Sequence, residues 1–191
     1  MNFFDVFNDT KQYLADKKAI IFDMDGTLVD SMEFWYSKEL WAISSSEERN
    51  KIIKQKYTES IIPKPYALEL CMQLKEAKIP FCIATNTPFK IAEPMLKKFG
   101  FDSMYEFYID CEEIGVPKSS PDIYYIATER LGCKAQDVVV FEDMPQSAKT
   151  AKLAGFCVVG VYDITSKDYM PEMRKMCDDY IYNYSGIMKK K

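Results

Sequence analysis

The chain has 191 residues, with 25 lysines and arginines against 29 acidic residues, a net charge of -4 and no histidine. That balance excludes a general binder of nucleic-acid backbones, whose footprint is basic, and the missing histidine excludes Ser-His-Asp and Cys-His catalysts. Hydrophobic residues at 48% and charged residues at 28% suffice for one well-packed domain with a small insertion.

The opening segment carries Phe3, Phe4, Phe7, Tyr13 and Leu14, which predict a helix lying on the core, with burial against a partner chain as the alternative for the three phenylalanines. Met1 to Asp16 holds acids and lacks a basic start with a long apolar centre, so it does not read as a secretion signal. Ala19 to Phe22 is an apolar run that reads as a buried strand. It empties into two carboxylates, Asp23 and Asp25, followed by Gly26 and Thr27. Clustering two acids at a strand end costs repulsion that a divalent cation removes.

Between Asp30 and Pro63 the pattern changes. Met32, Phe34, Trp35, Leu40, Trp41, Ile43, Ile52 and Ile53 predict one or two amphipathic helices, broken at Ser44-Ser45-Ser46-Glu47 with a serine capping the second. Core packing is the expected use of these aromatics, with a substrate entrance as the alternative. Further apolar runs follow at Phe81 to Ala84, Met104 to Ile109, Val138 to Phe141 and Cys157 to Val161, with a weaker one at Tyr180 to Tyr182. A helix is expected over Pro88 to Phe99, kinked or delayed by Pro94. Another is capped by Ser120 with Pro121 at its first position, and a third runs from Pro145 to Gly155, its Ala148, Ala151 and Ala154 permitting close packing.

Strands alternating with helices indicate an α/β fold, a Rossmann-like parallel sheet with helices on both faces. Residues 1–29 and 64–191 form that core, and 30–63 form a small α-helical cap. Four strand ends in succession carry polar residues: Asp23, then Thr85 and Asn86, then Asp110, then Glu142 and Asp143. Ligands of open α/β sheets bind beyond such ends. The six cysteines (71, 82, 111, 133, 157 and 177) form no Cys-x-x-Cys pair, which points to reduced thiols in a cytoplasmic protein. No apolar stretch approaches bilayer length, so no membrane partner is expected, and Lys189 to Lys191 read as a solvated tail.

These residues resemble the motifs of the haloacid dehalogenase superfamily, in its β-phosphoglucomutase-like phosphatase branch. The first motif, Asp-x-Asp-Gly-Thr/Val, is matched by Asp23-Met24-Asp25-Gly26-Thr27, the second by Thr85, the third by Lys118 and the fourth by Glu142-Asp143. The resemblance spans Ala19 to Val161. It implies a Mg2+-dependent phosphatase of a small phosphorylated metabolite, working through an aspartyl-phosphate. Asp23 would be the nucleophile and a metal ligand, and Asp25 the general acid and base, with its backbone carbonyl on the metal. Glu142 and Asp143 would complete the metal site. Thr85, Asn86 and Lys118 would hold the phosphoryl oxygens. A carboxylate nucleophile splits one hard step into two, and a cation neutralises the charge that would repel it.

The chain also departs from that pattern. Ser119-Ser120-Pro121-Asp122 stands where the family has Pro-x-Pro-Asp after its lysine, and Met144-Pro145-Gln146-Ser147 where it has Ser-x-x-Gly. The stretch between Asp25 and Thr85 is shorter than in phosphoglucomutase-like members, and Trp35 occupies the position of the mutase's cap histidine. Hydrolysis is therefore expected over a mutase cycle. A non-catalytic protein that binds phosphate ligands is the alternative from another class. Oligomeric state and substrate are not legible.

Overall fold

Ala19, Ile20, Ile21 and Phe22 are all buried and form β1, as a parallel strand covered on both faces requires. The computed structural model describes residues 3–8 and 10–189. It contains five further strands: β2 (Phe81–Thr85), β3 (Tyr108–Asp110), β4 (Val138–Glu142), β5 (Cys157–Val161) and β6 (Asp179–Ile181). All pair in parallel, in the order β3-β2-β1-β4-β5-β6. Helices α1 (Met32–Trp35), α2 (Lys38–Ala42), α3 (Ser46–Glu59) and α4 (Ala67–Glu76) lie between β1 and β2. Helix α5 (Phe89–Phe99) joins β2 to β3, and α6 (Cys111–Ile114) and α7 (Asp122–Arg130) lead to β4. Helix α8 (Pro145–Leu153) joins β4 to β5, and α9 (Met170–Met176) precedes β6.

Strand side chains alternate between faces, and two cores result. Ile20, Phe22, Val139 and Phe141 meet Leu70 and Leu74 of α4, Ile91 and Met95 of α5, and Phe3, Phe7 and Leu14. Ala19, Ile21, Val138 and Val140 meet Ile123 and Ala127 of α7, Ala148 and Ala151 of α8, and Met173 of α9. Ala148 and Ala151 are fully buried, which is the close approach their size permits, while Ala154 is half-buried.

Several local expectations change. The N-terminal segment forms two short 3-10 turns, Phe3–Asp5 and Gln12–Leu14, instead of a helix. Its backbone is claimed by the C-terminal segment: Asn8 N–H donates to Ile187 O at 2.8 Å and Lys189 N–H to Val6 O at 2.7 Å. Phe3 and Phe7 nonetheless reach the core of this chain. The third apolar run is a strand only from Tyr108, and a 3-10 turn at Phe101–Ser103 follows Gly100, which ends α5. Pro94 lies inside α5, which starts at Phe89 without delay; burial of Ile91, Ala92, Met95 and Leu96 outweighs the bond lost at the proline. Ser120 does not cap α7: its hydroxyl donates to the Asp122 carboxylate, and Pro121 stands at the cap position. Lys190 and Lys191 of the terminal run lie outside the described residues.

The insertion holds three helices, not one or two. Helices α1 and α2 are separated at Tyr36–Ser37, where the Ser37 hydroxyl donates to Phe34 O at 2.7 Å. Ser45 caps α3, accepting from Glu48 N–H at 3.2 Å, a bond of the kind worth about 1 kcal/mol. Helix α3 packs along α5, and Lys98 of α5 donates to the last carbonyls of α3, Thr58 O and Glu59 O, favourably placed for the helix dipole. Leu40, Ile53, Tyr57 and Ile61 join the core around Ile20 and Phe22, so these helices are docked on the sheet domain. Asp30 N–H to Ile62 O and Lys64 N–H to Leu28 O, both 2.9 Å, tie the outgoing and returning passages together. Among the described residues no helix is long and apolar enough to cross a membrane.

Candidate active site

The chain leaves β1 toward β2 and β3 on one side, then crosses to β4 on the other. The crevice at that reversal, beyond the strands' carboxyl ends, is where open α/β sheets bind ligands. Asp23 N–H donates to Phe141 O at 3.0 Å, the last sheet bond before the chain turns. Met24 O then accepts from Thr27, Leu28 and Val29, and Gly26 takes φ +80°. A side chain at Gly26 would stand 2.6 Å from both Asp143 Cγ and Met32 Cγ, so glycine is required for space as well as for conformation.

Three carboxylates meet in this crevice. Asp23, Glu142 and Asp143 are each buried, and each offers an oxygen within 4.8 Å of the others. Lys118, also buried, bridges two of them: its ammonium donates to Asp23 Oδ1 at 2.6 Å and to Glu142 Oε2 at 2.7 Å. Tyr124 of α7 packs its ring against that ammonium and its hydroxyl against Glu142. Burial pushes the Asp23 pKa up to about 8, with the Glu142 charge adding to the rise and Lys118 opposing it. Asp143 rises well above the usual carboxylate range through burial and then the charges of Asp23 and Glu142. Burial works to lower the Lys118 pKa, but the two carboxylates it bridges outweigh it and hold the ammonium well above the usual lysine range.

Asp143 tests whether a metal ion fits. Its Oδ1 accepts from the Thr27 hydroxyl at 3.2 Å, but its Oδ2 is buried with no hydrogen-bond partner among the described residues. An unpaired buried carboxylate oxygen is costly, and one lysine neutralises only part of a three-carboxylate cluster. An all-oxygen donor set of this kind suits a hard divalent cation such as magnesium.

Asp25 occupies a different environment, outside that cluster. Its Oδ1 accepts from Ser31 Oγ at 2.6 Å, Trp35 Nε1 at 3.3 Å and the Tyr57 hydroxyl. Its Oδ2 accepts from Thr87 Oγ1 at 2.6 Å and lies 3.5 Å from Thr85 Oγ1. Trp35 and Tyr57 come from α1 and α3, so the insertion reaches into the crevice. Burial, and then the Asp25 charge, push the Tyr57 hydroxyl well above its usual range, which keeps it a donor.

A cavity of about 270 Å³ opens above these groups. Asp23, Asp25, Glu142, Thr85, Asn86 and Thr87 line its polar side, together with Ser147, while Met32, Trp35 and Met144 line the apolar side. Asp23, Asp25, Thr85, Lys118, Glu142 and Asp143 are thus gathered in one crevice, with the exposed Asn86 at its edge. Asp110 and Asp163, which no motif supports, serve the fold. Asp110 caps α6 through Glu113 N–H, and Asp163 pairs with Lys64 at 2.7 Å. Sequence reasoning missed Ser31, Tyr57, Thr87 and Tyr124. Only Thr87 carried a usable signal, standing two residues beyond Thr85.

A family model described as haloacid dehalogenase-like hydrolase matches residues 44–155. Hexitol phosphatase A of Escherichia coli (strain K12) is 27% identical over an alignment of 179 residues that covers 75% of this chain and 82% of that protein. The phosphorylated carbohydrates phosphatase of Thermotoga maritima is 27% identical over 128 residues, 67% of this chain but 57% of its own length. The crystal structure of CbbY from Rhodobacter sphaeroides in complex with phosphate shares the fold, with a TM-score of 0.73 at 20% identity, covering 87% of this chain and 94% of that one. With a family model over more than half its length, the chain belongs to the haloacid dehalogenase-like hydrolases.

Proposed function

We propose that the chain is a magnesium-dependent phosphatase of small phosphate monoesters, acting through an aspartyl-phosphate on Asp23. The observation that carries this reading is the buried Asp23–Lys118–Glu142 bridge beside the orphaned Asp143 oxygen, at the sheet's switch point. Asp23, Glu142 and Asp143, with the Asp25 backbone carbonyl, would hold the ion, which supplies positive charge against the phosphoryl oxygens.

The protein's own groups account for the rest. A carboxylate oxygen of Asp23 attacks phosphorus as the bond from phosphorus to the leaving oxygen breaks, and that oxygen takes the proton of the Asp25 carboxylic acid. Water then attacks phosphorus and gives its proton to the Asp25 carboxylate as the bond to Asp23 breaks. The sum is alcohol plus inorganic phosphate from ester plus water. Lys118 presents its ammonium as a point charge to the phosphoryl group, and Thr85 and Asn86 hold its oxygens. Trp35 stands where a mutase has its histidine, so hydrolysis is favoured over phosphoryl transfer between sugars. The names of the two phosphatase relatives support a phosphorylated sugar or polyol as substrate. All six cysteines are free, which supports a reducing compartment, the cytoplasm.

Hydrolysis of p-nitrophenyl phosphate in magnesium and in EDTA, beside Asp23→Asn, tests the proposal. Turnover should require magnesium and vanish in the variant, and a panel of sugar and polyol phosphates then identifies the substrate. Absence of turnover on every ester by well-folded protein refutes the phosphatase and leaves a phosphate-binding protein.

A further inference from the structure

We infer that Tyr57 and Trp35, carried by the inserted helices, are positioning residues for Asp25: they fix Oδ1 so that Oδ2 is the oxygen that exchanges the proton. This deepens the phosphatase reading and rests on it. The two carboxylate oxygens are treated unequally. Oδ1 meets three donors, Ser31, Trp35 and Tyr57, which exceeds the two lone pairs it offers in its plane. Oδ2 has one close donor, the Thr87 hydroxyl, and faces Thr85 at 3.5 Å. A hydroxyl can accept as well as donate, so Thr87 can turn to follow Oδ2 when that oxygen gains a proton.

The holders of Oδ1 are themselves fixed. Trp35 Nε1 also donates to the Tyr57 hydroxyl at 2.9 Å, and the two rings meet edge to face with centroids 6.3 Å apart. Tyr57 is fully buried and belongs to the core around Phe22 and Phe141. Its rotamer is therefore set by packing, as a positioning shell requires. In the step concerned, the O–H bond of the Asp25 acid breaks and its proton passes to the leaving oxygen as that oxygen separates from phosphorus.

The test varies the leaving group. p-Nitrophenyl phosphate releases a stable phenolate that needs little proton donation, whereas benzyl phosphate releases an alkoxide that needs a proton. The quantity compared is kcat/KM, which reports the phosphoryl-transfer step from free enzyme. Tyr57→Phe, which deletes only the hydroxyl, should lower kcat/KM on benzyl phosphate by about 10- to 100-fold, part of the about 10²- to 10⁴-fold that general acid–base catalysis supplies. The loss on p-nitrophenyl phosphate should be at least about tenfold smaller. Trp35→Phe, which removes the indole N–H at the rim of the same cage, should show the same ordering with a smaller loss, and serves if Tyr57→Phe does not fold. Equal losses on both esters, or no loss on either, overturn the inference. Wild-type protein without magnesium-dependent turnover of either ester overturns the phosphatase reading beneath it.

Discussion

Replacing Asp143 with asparagine separates what this residue does for stability from what it does for a metal ion. The carboxylate is fully buried, with one oxygen held by the Thr27 hydroxyl at 3.2 Å and the other without a partner among the described residues. Leaving a buried polar atom unsatisfied costs about 1–3 kcal/mol. Burial, and then the neighbouring Asp23 and Glu142 charges, raise its pKa well above the usual range, so the charged form is disfavoured in the metal-free protein. Asparagine keeps the shape, removes the charge and brings an amide that can donate to those carboxylates. In EDTA the Asp143→Asn variant should therefore be more stable than wild type by about 1–3 kcal/mol. At about 2–4 °C per kcal/mol for a chain of this size, the melting temperature rises by several degrees. Magnesium should reverse the order. An ion at 100 times its Kd adds about 2.7 kcal/mol to a protein that binds it only when folded, and the neutral amide of the variant is a weaker ligand than the carboxylate it replaces. Thermal melts of both proteins, in EDTA and across a magnesium series, measure both effects. A variant that melts below wild type in EDTA, or gains as much from magnesium, refutes the reasoning.

Two further outcomes follow from the same cluster. Asp23, raised to about 8 by burial and then by Glu142, and Asp143, raised by burial and then by Asp23 and Glu142, both have folded pKa values above their unfolded ones. A raised carboxylate contributes its stability in full below the unfolded value of about 4 and loses it as pH climbs through the folded value. Urea midpoints in EDTA should therefore fall between about pH 4 and pH 8 and hold nearly level in magnesium; a rise across that window without metal would contradict the assignment. Gly26→Ala should cost about 2–4 kcal/mol, because left-handed strain adds to a collision with Asp143 and Met32. Gly132→Ala, at φ +66° with nothing within 4 Å, should cost only about 1 kcal/mol. Chemical denaturation compares the two, and equal losses would show that space at Gly26 is not limiting.

What the sequence made legible depended on how local each signal was. Ala19 to Phe22 is short, apolar throughout and followed at once by acids, so the strand and its chemistry are written in consecutive letters. Lys118 is the opposite case: nothing beside it marks a lysine that ends up buried between Asp23 and Glu142, and only its order among the motifs pointed to it. Tyr57 follows Ile53 by one helical turn and reads as a residue of a packed helix face. It is packed, yet its hydroxyl also reaches Asp25, thirty-two residues back along the chain. Trp35, expected to pack like its neighbours, likewise turns its N–H onto Asp25. Bonds that span an insertion leave no period to read. The N-terminal segment failed for a related reason. Its apolar residues do reach the core, but the segment at Ile187 to Lys189, which takes its backbone hydrogen bonds, lies at the far end of the chain.

Asp23 and Asp25 stand two residues apart, yet the fold gives them opposite surroundings, and the proposed reaction explains why. An extended chain would send both side chains to one face. The turn that begins at Met24 O and passes through Gly26 separates them instead. Asp23 falls among carboxylates and a lysine, where burial and then the Glu142 charge outweigh the ammonium and raise its pKa. Asp25 falls among hydroxyls and an indole, which position an oxygen without supplying a charge. Hydroxyls can exchange donor for acceptor roles as a proton comes and goes, while the indole can only donate. The indole is also the most distant of the three donors on Oδ1, at 3.3 Å. Under the proposed mechanism these two surroundings, as much as the Asp-x-Asp spacing, distinguish the residue that would attack from the residue that would carry the proton.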